Sequence, residues 1–88
     1  MKARHMGTQL YVGNLAPEAD DKALKMLFSM FGTVEKAYVI LDKETQKSKG
    51  YGFVVMSNEA EAKKAIKALD GKKVGDYTVK VQKPKGKD

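Results

Sequence analysis

Lys49, Tyr51, Phe53 and Val55 place an ammonium group, two aromatic rings and an aliphatic side chain at alternate positions of one short stretch. In an extended chain, alternate residues share a face. Tyr51, Phe53 and Val55 then point one way, and Gly52, Val54 and Met56 the other. Both sets are apolar, which a strand buried on one side does not need. If helices cover the Val54 and Met56 side, two rings stand on an open face. Leaving each of them in water forgoes about 1.5–3 kcal/mol of burial. A face that keeps them open is therefore built to receive something, and a lysine leading into it selects a flat-ringed, negatively charged partner. Single-stranded nucleic acid has those properties. A second stretch, Leu10-Tyr11-Val12-Gly13-Asn14-Leu15, offers another ring by the same alternation, with Leu10 and Val12 opposed to Tyr11 and Gly13.

These side chains need a scaffold, and the rest of the chain supplies its pattern. Residues 9–14 read as a first strand, followed by a connection through Pro17. Asp20 is placed to cap a helix, with Asp21 in its first turn, and Leu24, Leu27, Phe28 and Phe31 form its buried stripe. Gly32 is expected to stop it in the left-handed conformation. Residues 34–41 are rich in β-formers, with Ala37, Val39 and Leu41 on one side and Tyr38 and Ile40 on the other. A polar, lysine-rich loop spans 42–50 and runs into the aromatic strand. Asn58 followed by Glu61 resembles a capping box, opening a second helix with Ala62, Ala65, Ile66 and Leu69 inward. Asp70-Gly71 ends it, residues 72–76 turn, and residues 77–82 form a last strand with Val79 and Val81 opposed to Thr78, Lys80 and Gln82. The order is β-α-β-β-α-β. Two helices cover one face of such a sheet, and the other face would show Tyr11, Tyr38, Ile40, Tyr51, Phe53 and Val55 where a solvated face carries lysine, glutamate and threonine.

Composition narrows the functional classes. Eighty-eight residues suffice for one modest core. With no cysteine and a single histidine, disulfide scaffolds, cysteine-ligated metals and histidine clusters are excluded. No apolar run approaches the roughly 18–20 residues of a membrane span. Residues 1–7 resemble a remnant of recombinant expression rather than a signal peptide, residues 8–83 a folded domain, and residues 84–88 a flexible basic tail. An intracellular monomer with no cofactor is expected. The net charge is +6, from 17 basic and 11 acidic residues; without Lys2 and Arg4 it is +4, so the excess belongs to the domain. Arg4 is the sole arginine, so the body of the chain meets phosphates with lysine point charges rather than guanidinium forks.

Residues 49–56, Lys-Gly-Tyr-Gly-Phe-Val-Val-Met, match seven of eight positions of the octamer of the RNA recognition motif family, and residues 10–15 resemble its companion hexamer. The resemblance covers residues 8–83. It implies a ferredoxin-like α+β sandwich, βαββαβ, with a four-stranded antiparallel sheet and two helices on one face. It also implies roles: Tyr11 and Phe53 each stack on a base, Tyr51 packs on sugars or a neighbouring base, and Lys49 binds phosphate. Asn14 is a candidate polar contact, as are Lys80 and Gln82 for base edges; Tyr38 joins them by strand parity alone. Met56 departs from the octamer's aromatic, but parity puts it in the core.

Binding of single-stranded RNA without catalysis is thus the leading expectation, with single-stranded DNA as a related ligand. A protein- or peptide-binding module on the same fold is the alternative. An acylphosphatase-like enzyme on a similar sandwich would need a guanidinium in an anion cradle near the first strand, and Arg4 is badly placed for that. Neither a Ser/His/Asp set nor a phosphate-binding glycine loop is present, and Gly50 and Gly52 alternate with aromatics inside a strand.

Overall fold

A computed structural model of the chain describes residues 8–84. The expected leader at 1–7 and nearly all of the expected basic tail lie outside the described residues. Strand β1 is Thr8–Gly13, helix α1 Asp21–Ser29, β2 Val34–Leu41, β3 Ser48–Met56 and α2 Glu59–Leu69; three short strands follow, β4 Lys73–Val74, β5 Tyr77–Thr78 and β6 Lys80–Gln82. Four of the strands form one antiparallel sheet in the order β2-β3-β1-β6. The βαββαβ ferredoxin-like arrangement is therefore present, with both helices on one face.

Strand alternation builds the core as the sequence implies. Leu10 and Val12 of β1, Val54 and Met56 of β3 and Val81 of β6 point inward and are buried. They meet Leu24 and Phe28 of α1 and Ala62, Ala65 and Leu69 of α2. Phe31 and Leu27 pack against this cluster while remaining partly buried. Met56 is fully buried, which explains why an aromatic can be replaced there without touching the open face. Truncating Phe28, equally inaccessible, would cost about 3–5 kcal/mol in lost transfer energy and cavity.

The helix starts follow the sequence. Asp20 accepts the Ala23 N–H at 2.9 Å, and Asn58 accepts the Glu61 N–H at 2.8 Å. Glu61 then does something local pattern does not predict. Its Oε1 accepts the Thr33 N–H at 3.0 Å and the Ser57 hydroxyl at 2.5 Å, tying the start of α2 to the turn before β2. This also corrects the expectation for Gly32. It is absent from the glycines with positive φ, and Met30 ends α1 with helical dihedrals (φ −68°, ψ −16°). Gly32 serves space instead: a Cβ there would lie 2.6 Å from the Glu61 carboxyl carbon.

Two further expectations change. The run at 77–82 is not one strand, because Tyr77–Thr78 folds back on Lys73–Val74 as a separate two-stranded hairpin. Gly75 makes its turn at φ +65°, a conformation that costs glycine no steric strain. Val79, between the two pieces, donates to the Lys72 carbonyl and accepts from the Gly71 N–H, so it anchors the hairpin to the end of α2. Leu41, expected beside Val39, is 46 % exposed. The β2–β3 ladder shifts between them, with Ile40 opposite the three residues Lys49, Gly50 and Tyr51.

On each edge strand of the sheet a carboxylate from a helix end takes one backbone N–H. On β2 the Val39 N–H donates to Asp21 at 2.8 Å, and on β6 the Val81 N–H donates to Asp70 at 2.9 Å. An occupied edge donor cannot recruit another strand.

Candidate nucleic-acid interface

Three rows of residues cross the uncovered face of the sheet, because directly paired residues of neighbouring strands point the same way. The middle row is Gln82, Tyr11, Phe53 and Tyr38, from β6, β1, β3 and β2 in turn. Lys80, Gly13 and Tyr51 form the row on one side of it. Gln9, Val55 and Lys36 form the row on the other. The octamer and the hexamer, about forty residues apart in the chain, thus become neighbours through the β1–β3 pairing.

The rings make one continuous surface. Centroids are 5.7 Å apart for Tyr38 and Phe53, 6.0 Å for Phe53 and Tyr11, and 5.9 Å for Tyr11 and Tyr51. Tyr51 also meets Phe53 edge-on at 6.3 Å. These are tilted and T-shaped contacts, the arrangements that the aromatic quadrupole favours. All four rings are half-buried: their edges support one another and their outer surfaces stay open.

Two glycines shape this platform. A Cβ on Gly13 would fall 2.7 Å from the Tyr11 Oη and 2.9 Å from its Cε2, so the Tyr11 ring lies back along its own strand over Gly13. A Cβ on Gly52 would fall 2.4 Å from the Tyr38 carbonyl oxygen and 3.0 Å from the Val39 Cα. The missing side chain at Gly52 lets β2 close on β3 and brings Tyr38 to Phe53.

The polar candidates divide. Lys49 is exposed on β3, the strand of Tyr51 and Phe53, and Lys80 is exposed on β6, which pairs with β1. Asn14, just beyond β1 at φ +58°, donates its amide nitrogen to the Thr78 carbonyl at 2.7 Å. Its Nδ2 is committed to the fold, which leaves Oδ1 for any ligand. Asn14, Lys80 and Gln82 come together with Asp70 and Thr78 around a recess of about 490 Å3 at the β6 edge. Gln9 and Lys36 belong to the same face but were not singled out in the sequence. Counting alternation back from Tyr11 and Tyr38 finds both.

The loop between β2 and β3 is built, not merely solvated. Asp42 accepts the Glu44 and Thr45 N–H groups at 2.8 and 3.1 Å, and its N–H donates to the Lys47 carbonyl at 2.8 Å. The Thr45 and Glu44 backbone donors hold the Asp42 carboxyl below its ordinary value, with a smaller contribution from Lys49. Lys83, just past β6, is paired with Glu59 of α2, whose carboxyl it lowers. Among the described residues no group of three or more His, Cys, Asp or Glu side chains could hold a metal ion, and no helix is long and apolar enough to cross a membrane.

Comparison with known proteins agrees with this geometry. The family model for the RNA recognition motif matches residues 10–80. The glycine-rich RNA-binding protein 4, mitochondrial, of Arabidopsis thaliana is 45% identical over 78 residues, which are 89% of this chain and 57% of that protein. The chain spans 37% or less of the other curated relatives compared. The crystal structure of RNA-binding protein PG1 superposes with a TM-score of 0.86 at 33% identity, covering 92% of this chain and 98% of that one. The Sex-lethal protein in complex with RNA superposes with a TM-score of 0.86 at 30% identity, over 94% of this chain and 50% of that one.

Proposed function

The chain belongs to the RNA recognition motif family, and from that premise we propose that it binds single-stranded RNA on the open sheet face and catalyses no reaction. The observation that carries the reading is the middle row, in which Tyr11, Phe53 and Tyr38 stand side by side with Gln82 at one end. Tyr11 and Phe53 each stack on one base. Tyr51, edge-on to Phe53, packs on the sugar between them or on the next base, and Tyr38 extends the stack over β2. Lys49 and Lys80 neutralise phosphates, with Lys36 adding charge at the opposite corner. Gln82 and the remaining acceptor of Asn14 meet base edges.

The magnitudes are sufficient. Base–aromatic stacking is worth about 1–3 kcal/mol per base, so two stacked bases supply about 2–6 kcal/mol. A micromolar dissociation constant corresponds to about −8 kcal/mol, and the lysines supply much of the remainder. Neutralising two phosphates with Lys49 and Lys80 gives a log–log salt slope of about −1.4, and a third with Lys36 about −2. The test is fluorescence anisotropy of a labelled pool of random-sequence RNA octamers, titrated at two salt concentrations, with the DNA pool alongside. Saturable binding that weakens with salt supports the reading. Absence of binding at low salt would refute it. A tie between the two pools would show that 2′-hydroxyl contacts contribute nothing.

A further inference from the structure

The recess at the β6 edge adjoins the aromatic platform and has a chemistry of its own. Gln82, in its lining, pairs with Tyr11 across the β1–β6 ladder, so the recess begins one strand, about 4.8 Å, beyond β1. A base next in line to the one on Tyr11 overhangs β6 and turns its edge into this space. The volume of about 490 Å3 lies within the roughly 300–1,000 Å3 of sites that take a small molecule. Asn14 follows β1, Asp70 closes α2, and Lys80 belongs to β6, so the chain converges here from three directions.

Two acceptors in the recess are held in place by the fold. Asp70 Oδ1 accepts the Val81 N–H at 2.9 Å, which fixes the carboxylate at the edge and leaves Oδ2 free to accept. The Asn14 amide nitrogen donates to the Thr78 carbonyl at 2.7 Å, which leaves Oδ1. Neither group offers a donor, since a carboxylate has none and the Asn14 nitrogen is engaged. Among the described residues Asp70 forms no ion pair. A carboxylate left unpaired beside an RNA face repels phosphates, so it lowers affinity unless base donors meet it. The exposed Lys80 brings three donors to the same recess.

Guanine answers this arrangement. Its N1–H and 2-amino group are adjacent donors, and its O6 and N7 are adjacent acceptors. Uracil sets one N–H between two carbonyls, and adenine and cytosine each set a ring acceptor beside the amino group. We propose that the recess reads guanine: N1–H and the 2-amino group donate to Asp70 Oδ2 and Asn14 Oδ1, and Lys80 donates to O6 or N7. The inference rests on the open-face reading and narrows it, to single-stranded RNA with a guanosine beside the base on Tyr11.

The test is anisotropy titration of the full chain with labelled octauridylate, and with the same octamer carrying guanosine, inosine, adenosine or cytidine at its fourth position. Stacking tolerates any base, so octauridylate itself binds. Guanosine is expected to tighten binding at least about fivefold, the lower end for one well-paired base edge. Inosine, which lacks the 2-amino group, loses most of that gain, and adenosine and cytidine give none. Asp70→Asn keeps an oxygen for the Val81 N–H but turns Oδ2 into a donor, so the ratio of guanosine to uridine affinities falls to about one. Circular dichroism checks that this variant is folded, and the wild-type comparison needs no variant. Octauridylate binding with no gain from guanosine overturns the inference alone. So do an equal gain from inosine, adenosine or cytidine, and a folded Asp70→Asn that keeps the ratio. Binding of no octamer overturns the open-face reading and this inference with it.

Discussion

Replacing Phe53 by alanine tests the platform where its contacts converge. Phe53 pairs directly with Tyr11 on one side and Tyr38 on the other, and Tyr51 meets it edge-on. Its ring is half-buried on the open face, so the core beneath, Val54 and Met56 included, is not opened by the change. Two losses follow, and they differ in size. In the free protein, three ring–ring contacts disappear, each worth about 0.2–1 kcal/mol for a pair on a sheet surface. In the complex, the stacking of one base disappears, worth about 1–3 kcal/mol, which is about a 5- to 150-fold rise in dissociation constant. Anisotropy titration of an RNA octamer measures the second loss, and thermal unfolding followed by circular dichroism measures the first. Val55→Ala is the control: it removes an open-face side chain from the same strand, opposite Gln9 and Lys36, but takes away no ring. It should weaken binding by less than about threefold, since no stacked base is lost. If Phe53→Ala binds as wild type does while remaining folded, stacking on this ring contributes nothing and the argument from the aromatic row fails. If both variants weaken binding equally, the open face contributes apolar area and the rings have no special role.

Other consequences are independent of any ligand. Gly52→Ala should destabilise the domain by about 1–3 kcal/mol, since the added Cβ meets backbone atoms of β2 that cannot rotate away; urea unfolding that leaves the midpoint unchanged would contradict the close approach. Asp70→Ala removes the acceptor of the Val81 N–H and should cost about 1–3 kcal/mol, with faster hydrogen exchange of the Val81 amide as its local sign. The Glu61 carboxyl lies below its ordinary value of 4.5, chiefly through the Ser57 hydroxyl and then the Thr33 N–H. A lowered carboxylate contributes stability above its unfolded value and loses it as pH falls through the folded one. The difference in melting temperature between wild type and Glu61→Gln should therefore be widest at neutral pH and shrink below 4.5; a difference that does not change with pH would remove the clasp from the stability account.

The legible and illegible parts of this fold separate by the range of the interactions behind them. Alternation in β1 and β3, and the stripe of Leu24 and Phe28, are local and strong, and they place the core and the open rings correctly. Asp20 and Asn58 are recognisable as caps because the groups they satisfy lie three residues away. Gly32 was misread because its reason is not local: Glu61, remote in sequence, occupies the space beside it. The turn at 72–76 is legible from Gly75, but the pairing of Tyr77–Thr78 with Lys73–Val74 is not, because Tyr77–Thr78 runs straight into Lys80–Gln82 as one stretch of strand pattern. Leu41 left its expected face because a register shift breaks alternation, and composition does not announce a bulge. At the site, alternation was enough to group Tyr11, Tyr38, Tyr51 and Phe53 on one face. The partner of Asn14 was not readable, since its bond to Thr78 depends on how the hairpin folds back.

Chemical-shift mapping of the nitrogen-15-labelled chain against an RNA octamer pool addresses the open-face interface most directly. The largest amide shifts are expected at Tyr11, Tyr38, Tyr51, Phe53 and Gln82, with α1 and α2 nearly unmoved. Shifts concentrated on the helices, with the sheet face silent, would contradict the assignment of the aromatic rows as the RNA interface.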